Sequence, residues 1–209
     1  MSLNLVMRHQ TSRELFRYWN KLRGDKPAPS RHDFEPAHIG TILPSIFMLE
    51  MVSDIATIRL AGGEICALYG EELRGKSFGA LWLNGVERKP STIATQCAEQ
   101  QMPFVLMADG LSTVGTVTKL EMLILPMESK DEKRDRVIGC LSDLETNSPY
   151  SRQHINGLSL TAMHHIDSDT IPLDFEGLRS KQNPKPHFID KIEHKKVGHL
   201  FVISGGRDN

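Results

Sequence analysis

The densest grouping of residues able to bind a metal or move a proton is His164-His165-Ile166-Asp167-Ser168-Asp169. Adjacent imidazoles followed by carboxylates suit a divalent cation. On a helix, however, neighbouring side chains diverge by about 100°, so His164 and His165 do not readily share one ion, and a solvated helix end is the expected reading. The next candidate is Glu50, a carboxylate between Leu49 and Met51 in an apolar run. It faces solvent, pairs with a base such as Arg59, or faces a ligand. Cys66, Cys97 and Cys140 lie far apart within apolar stretches and form no CxxC pair. Buried free thiols are therefore expected, not a zinc site or a disulfide. His9, His32, His38 and His154 stand alone, and Gly62-Gly63 lacks the later glycines that a phosphate cradle needs. No catalytic or metal-ligating set is assigned; Glu50 with a tail histidine is the one acid/base pair an enzyme reading would have to use.

The bulk composition narrows the field. The chain has 209 residues, room for one α/β domain and an appendage around a real core. With 25 Lys+Arg against 26 Asp+Glu the formal net charge is -1, which gives no field to concentrate a polyanion. Nucleic acid is not an expected partner. No apolar run reaches the ~18 residues of a membrane span, and Arg8-His9 closes off a signal peptide, so a cytoplasmic location is expected.

The elements that would position these residues follow from periodicity. Thr11 and Glu14 have capping-box spacing, and Leu15, Tyr18, Trp19 and Leu22 make an apolar stripe, so a helix is expected over 11–23, ended by Gly24. The stripe covers the chain's own sheet or a second copy. A short helix is expected from Pro36, behind Asp33 as its cap, to before Pro44. Residues 46–52 read as a strand covered on both faces, returning as 55–60 with Ala56, Ile58 and Leu60 on one side. Helices are expected over 64–69, 73–82 and 90–101, then strands over 103–108, 114–126 and 136–144, with the charged run 128–136 as a solvated loop. Beyond Pro149 a helix is expected over 151–163, then an irregular tail ending in a strand over 199–203. The fold class is α+β: a five-stranded antiparallel sheet with helices packed on one face. The domain reading is an N-terminal helical cap over 1–32, a central domain over 33–147 and a helix plus tail over 148–209.

That element order is the order of PAS domains. Tyr69-Gly70-Glu71-Glu72-Leu73-Arg74-Gly75-Lys76-Ser77 resembles the PAS turn, with an aromatic-Gly pair, an acidic residue, Leu, Gly and a basic residue with Ser. Met7-Arg8-His9, Glu14-Leu15-Phe16, Tyr18-Trp19-Asn20, Leu43-Pro44-Ser45-Ile46-Phe47 and Arg59-Leu60-Ala61-Gly62 resemble a family of stand-alone PAS-like proteins found mainly in alphaproteobacteria. So does the close of the chain, His199 to Ile203 with Gly205-Gly206-Arg207. The resemblance implies a sensory or regulatory protein without an attached kinase or cyclase, signalling through protein contacts, and it supplies no catalytic residues.

Cofactor expectations rest on the same likeness. Flavin-binding relatives carry a Cys in an Asn-Cys-Arg helix, and Cys66 lacks both neighbours. Haem-binding relatives use an axial histidine from the helical crossover, and no histidine lies between His38 and His154. Neither group is expected. A cavity between sheet and helices would be lined by Met48, Glu50, Cys66, Tyr69, Phe78 and Trp82, holding an unidentified small ligand unless these side chains simply fill the core. The stripe Leu15, Tyr18, Trp19 and Leu22 is the candidate homodimer interface. The competing readings are a small cavity enzyme, a lyase or hydrolase on a similar fold, and a scaffold with no ligand.

Overall fold

A computed structural model of the chain describes residues 7–53, 55–129, 133–145 and 154–167, and the backbone of 194–197 and 200–203. Helix α1 spans Gln10–Arg23; a 3-10 segment over Pro36–Ser45 leads into strands β1 (Ile46–Val52) and β2 (Ile55–Ala61). Then come α2 (Gly63–Tyr69), a 3-10 turn over Phe78–Leu81, α3 (Arg88–Glu99), and strands β3 (Phe104–Ser112), β4 (Val117–Met127), β5 (Arg136–Asp143) and β6 (Ile155–His165). These strands form one antiparallel sheet in the order β2-β1-β5-β4-β3-β6. At the C-terminal end, β7 (His194–Val197) pairs with β8 (Leu200–Ile203), the strand expected there.

Each face of the sheet carries its own core. Phe47, Leu49, Met122, Ile124, Val137 and Leu141 point to the side covered by α2, the 3-10 turn and α3. Their alternates Ile46, Leu123, Leu125, Ile138 and Cys140 point to the side covered by α1 and the segment after it. Burial on both faces explains why β1, β4 and β5 read as continuous apolar runs.

The sheet has six strands where five were expected, because 155–163, within the helix expected over 151–163, is a strand. This is β6, paired along β3 from Ile155 opposite Ser112 to His165 opposite Phe104. Two register shifts in this pairing break the alternation that would have marked a strand. A third irregularity sits in β2: Leu49 pairs with Ile58 but Met48 with Leu60, so Arg59 is the extra residue. Leu60 is thereby turned off the Ala56–Ile58 face and left 45% exposed.

Other helical details differ as well. Residues 73–82 form only the 3-10 turn Phe78–Leu81. The segment from Pro36 is 3-10 throughout, kinked at Ile39, runs through Pro44, and is preceded by Glu35 without a side-chain cap. The capping box of α1 does not form: His9 is the N-cap, its Nδ1 accepting from the Thr11 amide, while Glu14 accepts from Gln10 Nε2.

Candidate functional site

The segment between α2 and α3 ties together the two edges of the sheet. On one side Ile58 N–H donates to Lys76 O (2.9 Å) and Gly75 N–H to Ile58 O (2.8 Å), covering the edge of β2. On the other, Leu83 N–H donates to Leu158 O (2.9 Å), covering the edge of β6. Gly157 permits that approach, since a Cβ there would lie 3.0 Å from Leu83 N. Both edges are thus partly closed, which removes free ladder groups from solvent.

A groove of about 690 Å³ opens where these parts meet. Its walls come from the start of β2 (Ile55, Ala56), the 3-10 turn with its flanks (Ser77, Gly79, Ala80, Trp82, Leu83, Asn84), α3 and its N-terminal approach (Glu87, Ser91) and β6 (Asn156). Two buried polar atoms in these walls, Trp82 Nε1 and Glu87 Oε2, have no hydrogen-bond partner among the described residues. Glu87 is the N-cap residue of α3 in sequence, yet its side chain makes no capping bond. The sequence reading missed Asn84, Glu87, Ser91 and Asn156; only the fold brings these separated positions together.

Of the six residues expected to line a cavity, only Trp82 reaches this groove. Phe78 is fully buried, stacked on Phe47 at 6.1 Å and meeting Trp82 edge-on at 5.9 Å. Cys66 and Tyr69 pack on the same core, with Tyr69 Oη donating to Leu81 O (2.8 Å), and burial pushes that phenol up. Met48 packs on the opposite face, against the α1 core. By strand alternation Glu50 shares that side. Its carboxylate takes Arg59 Nε at 2.8 Å and Arg136 Nη2 at 2.6 Å, so the ion-pair alternative is the one realised.

The interior between sheet and helices is therefore occupied by side chains. A flavin-sized ring there would have to displace Phe47, Phe78 and Trp82, each 3% exposed or less.

The remaining chemical candidates are also dispersed. His164 and His165 sit on a strand, not at a helix end, and so point to opposite faces. His165 lies edge-on to Phe104 at 5.6 Å, and burial, then the Arg8 charge, pushes the His164 pKa down. Three strands separate β1, which carries Glu50, from β6, which carries these histidines, so neither of them pairs with Glu50; the tail histidines His187 and His199 lie outside the described residues. Desolvation pushes the Cys97 thiol up and Cys140 up to about 12, which disfavours thiolate at neutral pH. No group of three metal-ligating side chains occurs among the described residues.

The face of the sheet under α1 holds a buried carboxylate that the sequence reading passed over. Glu121, fully buried on β4, accepts from the amides of Arg8 (2.6 Å) and His9 (3.0 Å) at the entry to α1. Its signal was the one that singled out Glu50: an acid inside an apolar run. Further along, Trp19 Nε1 donates to Pro126 O (2.7 Å) and Ser12 Oγ lies 3.6 Å from Cys140 Sγ. Leu15 and Trp19 are at most 1% exposed within the chain, and Tyr18 and Leu22 pack partly on the same core. The stripe thus covers the chain's own sheet; Leu15 and Trp19 are not open to a second copy.

The PAS domain family matches residues 7–142. The chain belongs to that family. The match takes in α1, strands β1 to β4 and nearly all of β5, and stops short of β6. Solved structures that resemble this PAS domain include the PAS domain of a Colwellia psychrerythraea protein, at 14% identity and TM-score 0.42, covering 53% of this chain and 98% of that one. The PAS domain of an HTR-like protein from Haloarcula marismortui matches at 16% identity and TM-score 0.40, over 52% and 90% of the two chains. The Rhodobacter sphaeroides LOV protein matches at 8% identity and TM-score 0.42, over 56% and 73%. No match is found among curated proteins. No helix among the described residues is long and apolar enough to cross a membrane.

Proposed function

We propose that this PAS domain is a sensory module that signals by protein contact, with the docking of α1 on the sheet as its variable element. One observation carries the reading: β4 and β5 present alternate residues to two separate cores. Met122, Ile124, Val137 and Leu141 belong to the helix-side core, while Leu123, Leu125, Ile138 and Cys140 lie under α1. A rearrangement on the helix side therefore moves strands on which α1 is seated, and close-packed layers pass on such displacements instead of absorbing them. A ligand or partner shifts the equilibrium only by its differential affinity for the two seatings.

A double-mutant cycle tests the coupling. Met122→Ala cuts a cavity on the helix side, and Trp19→Phe removes the Pro126 hydrogen bond under α1. Independent sites add to within about 0.3–0.5 kcal/mol, whereas coupled ones deviate by more. The reading expects an interaction energy above about 0.5 kcal/mol, and strict additivity contradicts it.

A further inference from the structure

We infer that the groove between β2, α3 and β6 is a binding site for a small molecule that carries a protonated amine and, a few bonds away, a neutral oxygen acceptor, as an amino alcohol or amino amide does. Three features of the walls lead there. Among the described lining residues Glu87 is the single formally charged one, and its carboxylate favours a cation beside it. Glu87 is half-buried, and its covered Oε2 has no partner among the described residues, which leaves an acceptor of the kind native proteins rarely keep unsatisfied. An ammonium supplies donors to that oxygen.

Trp82 makes the complementary demand. It is 3% exposed, and its indole N–H also lacks a partner. It requires an acceptor, and an indole attracts a nearby cation through its ring face as well. Ser77, Ser91, Asn84 and Asn156 add neutral hydrogen-bonding groups, and Ile55, Ala80 and Leu83 add an apolar wall for a short aliphatic side chain. The volume, about 690 Å³, falls in the usual range of small-molecule sites. Both unpartnered atoms are covered in this conformation, so the proposal requires the groove wall to open for a ligand to reach them, and the titration below reads whether it does. Nothing in the site requires α1 to act as the signalling element, so the inference goes beyond the proposed function and does not rest on it.

The two tryptophans of the chain give the test a built-in control. Trp19 Nε1 is already bonded to Pro126 O at 2.7 Å, whereas the Trp82 N–H has no partner among the described residues. L-leucinamide is titrated into the full ¹⁵N-labelled chain and the two indole resonances are followed, assigned with Trp19→Phe. The expected result is a saturable downfield shift of the Trp82 indole proton with the Trp19 resonance unmoved. Glu87→Gln and the uncharged probe N-acetyl-L-leucinamide should each weaken binding about tenfold or more, the loss of one charge-assisted hydrogen bond. A Trp82 resonance that stays put at tens of millimolar probe overturns the inference. So does equal binding of the acetylated probe or equal binding by Glu87→Gln. The α1 coupling test uses no ligand, so failure here and failure of the sensory reading are separable.

Discussion

Trp19 offers the sharpest quantitative check on how α1 is held. Its ring is 1% exposed, lies 5.7 Å from Phe16, has the Arg23 guanidinium 5.5 Å over its face, and donates to Pro126 O. Trp19→Ala removes that volume at a cost of about 3–5 kcal/mol for a buried aromatic. The Pro126 carbonyl loses its indole donor, adding about 1–3 kcal/mol where no water reaches it. The expected loss is therefore about 4–8 kcal/mol for Ala and, because Phe keeps most of the buried area, about 1–3 kcal/mol for Trp19→Phe. Urea unfolding followed by far-ultraviolet circular dichroism at two protein concentrations measures both. The loss should be independent of concentration, since the contacts are within one chain. A cost for Trp19→Ala below about 1 kcal/mol, where buried aromatics lose several, would refute the packing argument. A strongly concentration-dependent cost would place Trp19 between copies instead.

Two further outcomes concern particular positions. Gly139 lies under Phe47, and a Cβ there would meet Phe47 Cζ at 2.3 Å and Leu123 O at 2.4 Å. Gly139→Ala should lower the thermal midpoint by well over 10 °C or abolish soluble expression, and adding Phe47→Leu should recover only part, because the Leu123 carbonyl cannot move aside. A normal melting curve for the single variant would show the Phe47 packing to be wrong. His164, paired with Val105 on the α1 side, is pushed below its ordinary 6.5 by burial and then by Arg8. Its contribution is unpenalised above 6.5; as pH falls through that value the unfolded chain takes the proton first, and stability is lost until the folded pKa is passed. Stability-versus-pH curves of the parent and His164→Asn should diverge in that window, the parent falling more steeply, and parallel curves would contradict the assignment.

The parts of the fold legible in the sequence were those whose periodicity survives into the structure. β1, β4 and β5 are buried on both faces and stay regular, so their apolar runs mark them plainly. The aromatic stripe of α1 fixed the helix and its buried face, but not which surface it covers, because a partner chain and the chain's own sheet demand the same residues. β6 was misread because two bulges scramble its alternation, and Leu60 was put on the wrong side because Arg59 is an extra residue in β2. Met48 and Glu50 were placed with Phe78 and Trp82, although on a strand they alternate with Phe47 and Leu49, which do face that core. The groove was not legible at all: Ile55, Trp82, Glu87 and Asn156 come from separate stretches, and only the closure of the two sheet edges joins them. Glu121 could have been found by the rule already applied to Glu50.

The central claim is that α1 reads the state of the opposite core through β4 and β5. Amide hydrogen exchange across Gln10–Arg23, compared between the parent chain and Met122→Ala, tests it most directly. The parent is brought to the same global stability with urea, so that general loosening cancels. The account predicts that α1 amides exchange faster in Met122→Ala than in the matched parent while β6 amides do not. Equal exchange of α1 in the two would contradict it, leaving α1 a fixed cover on the sheet.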